Sequence, residues 1–159
     1  MAAQGFSIGE GQGHYVLAHA PADIDAGAVT SDAFKMTNYS HATILISLGV
    51  TGAASTVTLK ENQDASGTGA TAIAFSYYAE ETAGGDTTGA RTAATSSGFA
   101  TSTNDGVFYV IEINAEDLSD GYEWLTVHMT DPGAATFGSI GVVLSGARYA
   151  EVSAPTAIA

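Results

Sequence analysis

The chain has 159 residues, of which 45% are hydrophobic, and it contains no cysteine. Seventeen acidic residues face only four basic ones, Lys35, Lys60, Arg91 and Arg148, and the formal net charge is −13 at pH 7. The length fits one domain with a sizeable core, and the lack of cysteine excludes disulfides and thiolate metal ligands. Nucleic-acid binding is disfavoured because it depends on Lys and Arg that neutralise phosphates.

The N-terminal residues carry no basic segment followed by a continuous apolar run, so we expect no signal peptide. No stretch approaches the roughly 18 apolar residues that a membrane helix needs. These observations predict a soluble protein that is made in a cytoplasm.

Short apolar runs recur along the chain, separated by Gly, Ser, Thr, Asn and Asp. They cover residues 14–20, 33–37, 42–49, 55–61, 72–78, 107–113, 123–130 and 139–145. Regular spacing of this kind predicts an all-β fold, an antiparallel β-sandwich of jelly-roll-like type with about eight strands. We expect a single sandwich domain over 14–149, a flexible N-terminal arm over 1–13 and a C-terminal tail over 150–159.

Two kinds of strand are distinguishable. Residues 55–61 and 123–129 alternate between apolar and polar side chains, which predicts half-buried antiparallel strands. In the second of these runs, His128 lies opposite the apolar set, so we expect it on the surface or in a cross-strand contact. Residues 44–48 and 107–111 are more continuously apolar, which predicts central strands that are covered on both faces.

The connections carry turn chemistry at 62–69 and 104–106, where Gly, Asn and Asp are concentrated. Asn114 with the acids that follow predicts a single helical turn at 114–118. Residues 83–106 form an unusually long connection rich in Gly, Ala, Ser and Thr, with Phe99 as the one large apolar side chain. Such a loop is either mobile or in contact with a partner, and a weak edge strand is expected near Phe99.

No catalytic constellation accompanies the strand pattern. The segment 5–9 (GFSIG) has the spacing of a nucleophile elbow, but no strand precedes it and no helix follows it, so we interpret it as coincidence. The four histidines, His14, His19, His41 and His128, have no metal-ligand spacing. Acid pairs at 23–27 and 117–121 are explained by turns and capping, and a structural calcium ion there stays open. We expect no enzyme, cofactor or catalytic residue.

Several stretches resemble small virion proteins of tailed bacteriophages. They are 34–41 (FKMTNYSH) with 44–46, 58–68 (TLKENQDASGT), 111–118 (IEINAEDL) through 122–130, and 146–149 (GARY) with 155–158 (PTAI). The resemblance extends loosely over residues 34–158.

The resemblance implies a capsid decoration protein, also called a cement protein. Such a protein is a β-sandwich bound to the outer surface of an icosahedral phage head, where it stabilises the expanded capsid lattice. It implies the major capsid protein as partner, a homotrimer, and no nucleic acid or membrane. The expected partner-contacting residues are Phe6, Ile8, Phe99, Tyr149, Pro155 and Ile158.

Two other functions fit the residues less well. A tail-fibre or baseplate domain that binds a host glycan would present an aromatic cluster, and Tyr77, Tyr78 and Trp124 are its candidates. A β-sandwich glycosidase would require two buried carboxylates in one cleft.

Overall fold

The computed structural model of the chain describes residue 8 and residues 12–81, 87–148, 157 and 158. Two antiparallel sheets enclose one hydrophobic core, so the predicted β-sandwich is confirmed. The strands are β1 (Gly13–Asp23), β2 (Val29–Thr30), β3 (Phe34–Lys35), β4 (Tyr39–Thr51), β5 (Thr56–Asn62), β6 (Thr71–Ile73), β7 (Phe75–Glu80), β8 (Thr92–Ala94), β9 (Phe99–Ala100), β10 (Phe108–Asn114), β11 (Trp124–Met129) and β12 (Thr136–Ala147).

The prediction of about eight strands is wrong, because the described chain forms twelve. Each of the eight apolar runs contains a strand, and the run at 72–78 is divided into β6 and β7. The strands that were not predicted are β2 and β8, which are two and three residues long. Segments this short hold too few side chains for an alternating pattern to be visible.

The strand order is that of a jelly roll. Sheet 1 has the order β1-β12-β4-β10-β7-β8, and sheet 2 has the order β2-β11-β5-β6, with β3 paired to β11 and β9 paired to β5. The chain crosses repeatedly between the sheets, because β4 and β10 of sheet 1 are followed by β5 and β11 of sheet 2, and β11 is followed by β12 of sheet 1. This alternation distinguishes a jelly roll from a meander.

The core forms where the inward faces of both sheets meet. The alternation predicted for β5 and β11 is confirmed: Val57 and Leu59 are buried on β5, and Leu125 and Val127 on β11. Facing them from sheet 1 are buried side chains of β4, β10 and β12, among them Ile44, Ile46, Ile111, Ile140 and Leu144. Full burial of each aliphatic side chain contributes about 1.5–3 kcal/mol, which makes this layer the main source of stability.

The strands β4 and β10 are central in sheet 1, as predicted, but the expectation that both of their faces are covered is wrong. Their inward residues are buried, whereas Leu45 and Val110 on the outer side are only half-buried.

The predicted helical turn is confirmed as a 3₁₀ turn at Ala115–Asp117. The carboxylate of Asp117 accepts a hydrogen bond of 2.8 Å from the backbone N–H of Asn114. This contact satisfies a backbone donor at the start of the turn, which is the usual reason for an acid at that position.

The long connection between β7 and β10 carries β8 to the edge of sheet 1 and β9 to sheet 2. The weak strand expected near Phe99 is therefore present. The hydroxyl of buried Tyr109 is hydrogen-bonded to both ends of this connection. It accepts a 2.6 Å hydrogen bond from Ser102 N and donates a 3.1 Å hydrogen bond to Glu81 Oε1. Burial, as the largest cause, raises the pKa of Tyr109 to about 12, which keeps this hydroxyl protonated.

The last described residues lie against this chain's own sheet 2. Lys35 N donates a 2.7 Å hydrogen bond to Ala157 O, and Ile158 forms a bridge with Phe34. Ala157 is buried in the core cluster. At these two positions the segment predicted as a C-terminal tail is bound to β3, and the rest of that segment lies outside the described residues.

Gly98 is the glycine that the packing of β9 against β5 requires most strictly. It has a φ of +78°, and a Cβ at this position would overlap the carbonyl oxygen of Val57. We expect Gly98→Ala to lower the free energy of unfolding by about 3 kcal/mol or more, since the φ penalty and the overlap add. Chemical denaturation measures this change.

Gly121→Ala is the matched control, because Gly121 has a φ of +85° and no atom within 4 Å of its Cβ position. It retains the φ penalty of about 1 kcal/mol without the overlap. Equal losses in the two variants would show that the close approach of Gly98 to β5 is not needed.

Candidate functional site

The outer face of sheet 1 carries an apolar row that crosses five neighbouring strands. Strand pairing places Leu17 opposite Gly141, Gly141 opposite Leu45, Leu45 opposite Val110, and Val110 opposite Tyr78. Directly opposed residues share a face of an antiparallel sheet. We call these five residues the apolar stripe. At the usual spacing between strands it is about 19 Å long.

Tyr15 covers the gap that Gly141 leaves in the stripe. A Cβ at position 141 would lie 2.7 Å from the Tyr15 hydroxyl and 3.0 Å from its ring. The tyrosine ring therefore lies flat across the glycine. Tyr15 is nevertheless 50% exposed and its neighbour Leu17 is 46% exposed, so this end of the stripe offers the most apolar surface.

The rows on either side of the stripe hold few charges. Pairing places Val143 and Thr43 in one flanking row, and Ser139, Ser47 and Phe108 in the other. Each row contains one acid, Glu112 or Glu80, and neither row contains Lys or Arg. In a chain with a formal charge of −13, this is a region where a partner meets little electrostatic repulsion.

Glu112 is bound to its own neighbours on the sheet. Its Oε2 accepts a 2.8 Å hydrogen bond from the Thr43 hydroxyl and lies 2.6 Å from His41 Nε2. The other ring nitrogen of His41 lies 2.9 Å from Asn114 Oδ1. This cluster closes one end of the uncharged face.

The stripe has the properties of a protein-binding surface. It is an open sheet face and not a cavity, whereas small molecules bind in concave sites. Exposed apolar and aromatic side chains that are contiguous and bordered by polar groups mark interaction surfaces.

Of the partner-contacting residues predicted from the sequence, three are described. Ile8 is 41% exposed, and Ile158 packs on the core beside Phe34. Phe99 is 8% exposed and its ring stacks on Tyr77 at a centroid distance of 3.9 Å, so it offers little surface to a partner. Phe6, Tyr149 and Pro155 lie outside the described residues.

A second site is a polar cleft of about 360 Å³ on the outer face of sheet 2. One wall is the segment 30–33 after β2, and the other is the turn 65–70 after β5, with Thr126 and His128 of β11 between them. The second wall belongs to the turn predicted at 62–69.

Asp64 stabilises this turn, because its Oδ1 accepts hydrogen bonds from Ser66 N and Thr68 N. The hydrogen bonds from Thr68 are the largest cause of the lowered pKa of Asp64.

A chain of hydrogen bonds runs beneath the cleft. Asn62 Nδ2 donates to Thr126 Oγ1 at 3.0 Å, and Thr126 Oγ1 lies 3.0 Å from His128 Nε2. His128 Nδ1 lies 3.0 Å from Thr30 Oγ1. Each group is satisfied when the Thr126 hydroxyl donates to Nε2 and Nδ1–H donates to Thr30, which assigns the neutral tautomer of His128. The cross-strand role expected for His128 is thus observed.

Burial, and to a smaller extent the charge of Lys60, lowers the pKa of His128. As the pH falls below 6.5, the ordinary pKa of histidine, the unfolded chain therefore binds more protons than the folded chain. The neutral form of His128 contributes to the free energy of unfolding above that pH. This contribution is lost as the pH falls through the pKa that His128 has in the folded chain. Asp32 on the cleft wall is the other charged group that faces this region.

We expect the free energy of unfolding to decrease from pH 7 to pH 5 more steeply in the natural chain than in His128→Gln, which removes the titrating group. Urea denaturation at several pH values measures both slopes. Identical slopes would contradict the assignment of a neutral, hydrogen-bonded His128. His41→Gln serves as a comparison, since it removes a histidine on sheet 1.

The remaining sequence candidates are not brought together. His14 and His19 lie on β1, His41 on β4 and His128 on β11. Within the described residues there is no group of three His, Asp or Glu side chains positioned to hold a metal ion. Asp23 accepts a hydrogen bond from Asp25 N, in agreement with the turn interpretation. Only Ile8 of the segment 5–9 is described.

The aromatic cluster proposed for a glycan-binding domain is not formed. Tyr77 stacks on Phe99 on the inner side of sheet 1, whereas its neighbour Tyr78 belongs to the outer stripe. Trp124 lies in sheet 2, with Lys35 Nζ 5.5 Å from its ring centre. For a glycosidase, the described residues supply one fully buried carboxylate, Glu61, which accepts a hydrogen bond from Ser119 N.

Comparison of the chain with protein-family models, with curated proteins and with solved structures found no match. Within the described residues, no helix has the length and hydrophobicity needed to span a bilayer.

Proposed function

We propose that the chain is a structural virion protein that decorates the outer surface of an icosahedral phage head and stabilises the expanded capsid lattice. The observation that carries this proposal is the apolar stripe, an outward-facing row with few charges on an otherwise strongly acidic protein. Leu17 of this row is exposed, and Leu45, Val110 and Tyr78 are partly exposed. The major capsid protein is the proposed partner of this surface, and the chain acts as a homotrimer.

The fold and the sequence support the same proposal. The jelly-roll order of strands is found in viral capsid proteins, among other classes, and fold alone does not assign a function. The likeness of residues 34–158 to small virion proteins adds independent support. The shape of the site agrees as well, because a flat rigid sheet face matches the surface of a folded protein and not a small substrate.

The proposed mechanism depends on binding alone and involves no chemical reaction. A protein that binds only the expanded lattice lowers the free energy of that state by mass action, and many copies on one particle add their contributions. Multivalent attachment of a trimer converts weak single contacts into stable association. Leu17 and Tyr15 are placed to supply much of the contact energy, since half-exposed apolar and aromatic side chains lose the most water on docking.

The test uses heads assembled without this protein, from the phage whose genome encodes it. We expect the natural chain to sediment with expanded heads in a saturable manner and to bind unexpanded proheads weakly. Leu17→Glu places a charge in the stripe and should weaken binding by about thirtyfold, the equivalent of roughly 2 kcal/mol.

Val50→Glu is the matched control, because Val50 is 59% exposed and is not part of the stripe. It adds the same charge and should bind as the natural chain does. Both variants should unfold within about 0.5 kcal/mol of the natural chain, as expected for exposed positions. Failure of the natural chain to bind heads would refute the function, whereas equal binding by the two variants would refute the role of the stripe.

A further inference from the structure

We propose that the polar cleft on sheet 2 binds a small polyhydroxyl ligand of the carbohydrate class. The cleft lies on the sheet opposite the apolar stripe, so this inference stands independently of the proposed function. Its volume of about 360 Å³ is within the range of roughly 300–1,000 Å³ found for small-molecule sites.

The first observation is a buried acceptor without a partner. Asn62 is fully buried, and among the described residues its Oδ1 accepts no hydrogen bond. The amide orientation is fixed, because Nδ2 donates to Lys60 O and Thr126 Oγ1 and a carbonyl oxygen can only accept. A buried acceptor that lacks a donor costs about 1–3 kcal/mol, so a ligand that supplies a donor recovers that energy.

The buried acceptor belongs to a residue of the cleft wall. Asn62 and Gly67 both line the cleft. A Cβ built on Gly67 would lie 3.9 Å from Asn62 Oδ1 and would have no other neighbour within 4 Å. Because Oδ1 has almost no accessible surface, a ligand hydroxyl reaches it at hydrogen-bond distance only when the turn that carries Gly67 shifts outward.

The opposite wall supplies a donor. Because His128 Nδ1–H donates to Thr30 Oγ1 in the tautomer assigned above, the Thr30 hydroxyl proton is left to point away from the ring. Thr30 is exposed and lines the cleft. The cleft therefore offers a donor at Thr30 and an acceptor at Asn62, with the Ser66 hydroxyl between them able to do either.

This mixture of groups selects the class of ligand. The carboxylate of Asp32 disfavours an anion, and neither Lys nor Arg lines the cleft. A simple ammonium ion can only donate, so it would leave the Thr30 hydroxyl without an acceptor. A sugar hydroxyl both donates and accepts, and several on one ring reach both walls together.

The test is an NMR titration of the ¹⁵N-labelled full chain with D-glucose, D-galactose and N-acetyl-D-glucosamine, each in a separate experiment. We expect at least one sugar to give saturable shifts, in the millimolar range, of the Asn62 side-chain amide and of the Ser66 and Gly67 backbone amides. Ammonium chloride and sodium phosphate are the cationic and anionic comparisons, and neither should saturate these signals.

Two variants locate the binding. Ala70 is exposed and lines the cleft, so Ala70→Trp should fill it and abolish the saturable shifts. Ala90→Trp adds the same side chain at an exposed position that does not line the cleft and should leave them unchanged. Thr30→Val removes one hydroxyl and should weaken binding by about fivefold, the equivalent of one hydrogen bond.

The inference is overturned if none of the three sugars saturates these signals, or if ammonium or phosphate saturates them and the sugars do not. It is also overturned if a folded Ala70→Trp binds the sugar as the natural chain does. Should Ala70→Trp not fold, an unchanged affinity in Thr30→Val would overturn it instead.

Discussion

The register of β12 between β1 and β4 determines both the core and the outer surface of this protein. Ile140, Val142 and Leu144 point inward from β12, while Gly141 and Val143 point outward. Because side chains alternate along a strand, a slip of one residue would exchange the two sets. The buried aliphatic residues hold the register, so the energy that stabilises the core also aligns the apolar stripe.

Glycine and tyrosine complete this arrangement on the outer face. Gly141 has no side chain, which allows the ring of Tyr15 to lie across it from β1. The ring links an edge strand to the centre of the sheet and remains half-exposed. The contact between Tyr15 and Gly141 thus contributes to the stability of sheet 1. It also leaves apolar surface of the ring exposed for the proposed attachment to a capsid.

Much of the fold could be predicted from the sequence, since the eight apolar runs are long enough to show a period. The alternation of β5 and β11 correctly placed Leu59 and Leu125 in the core, and Asn114 with its acids correctly marked the 3₁₀ turn. The short strands β2 and β8 could not be predicted, because they exist only through their pairing with longer strands.

The candidate sites were less accessible to sequence reasoning. The runs that contain Leu45 and Val110 are apolar on both faces of the strand, and the outward residues belong to the stripe. The same pattern is typical of a strand that is buried on both faces, so the sequence alone does not identify the stripe. Only the strand register shows that these residues align with Leu17 and Tyr78. The polar cleft joins Thr30, Asn62 and Thr126 from three strands of sheet 2, and no local spacing relates residues so distant in the chain.

Two faces with different chemistry are therefore the main result. Sheet 1 presents an apolar stripe, which we propose as the surface for a protein partner, and sheet 2 presents a cleft, which we propose as the site of a small ligand. The function proposed here depends on the first of these and assigns the chain to the outside of a particle built from many identical subunits. Its acidic remainder favours solubility and keeps free copies apart.

The most direct test of the proposed function is quantitative mass spectrometry of purified virions of the phage that is proposed to encode this chain. The copy number of the chain is compared with that of the major capsid protein. The account predicts a constant ratio close to a simple fraction, as expected for a protein that occupies repeated sites on the lattice. A handful of copies per particle would indicate a tail component, and absence from the virion would contradict the account.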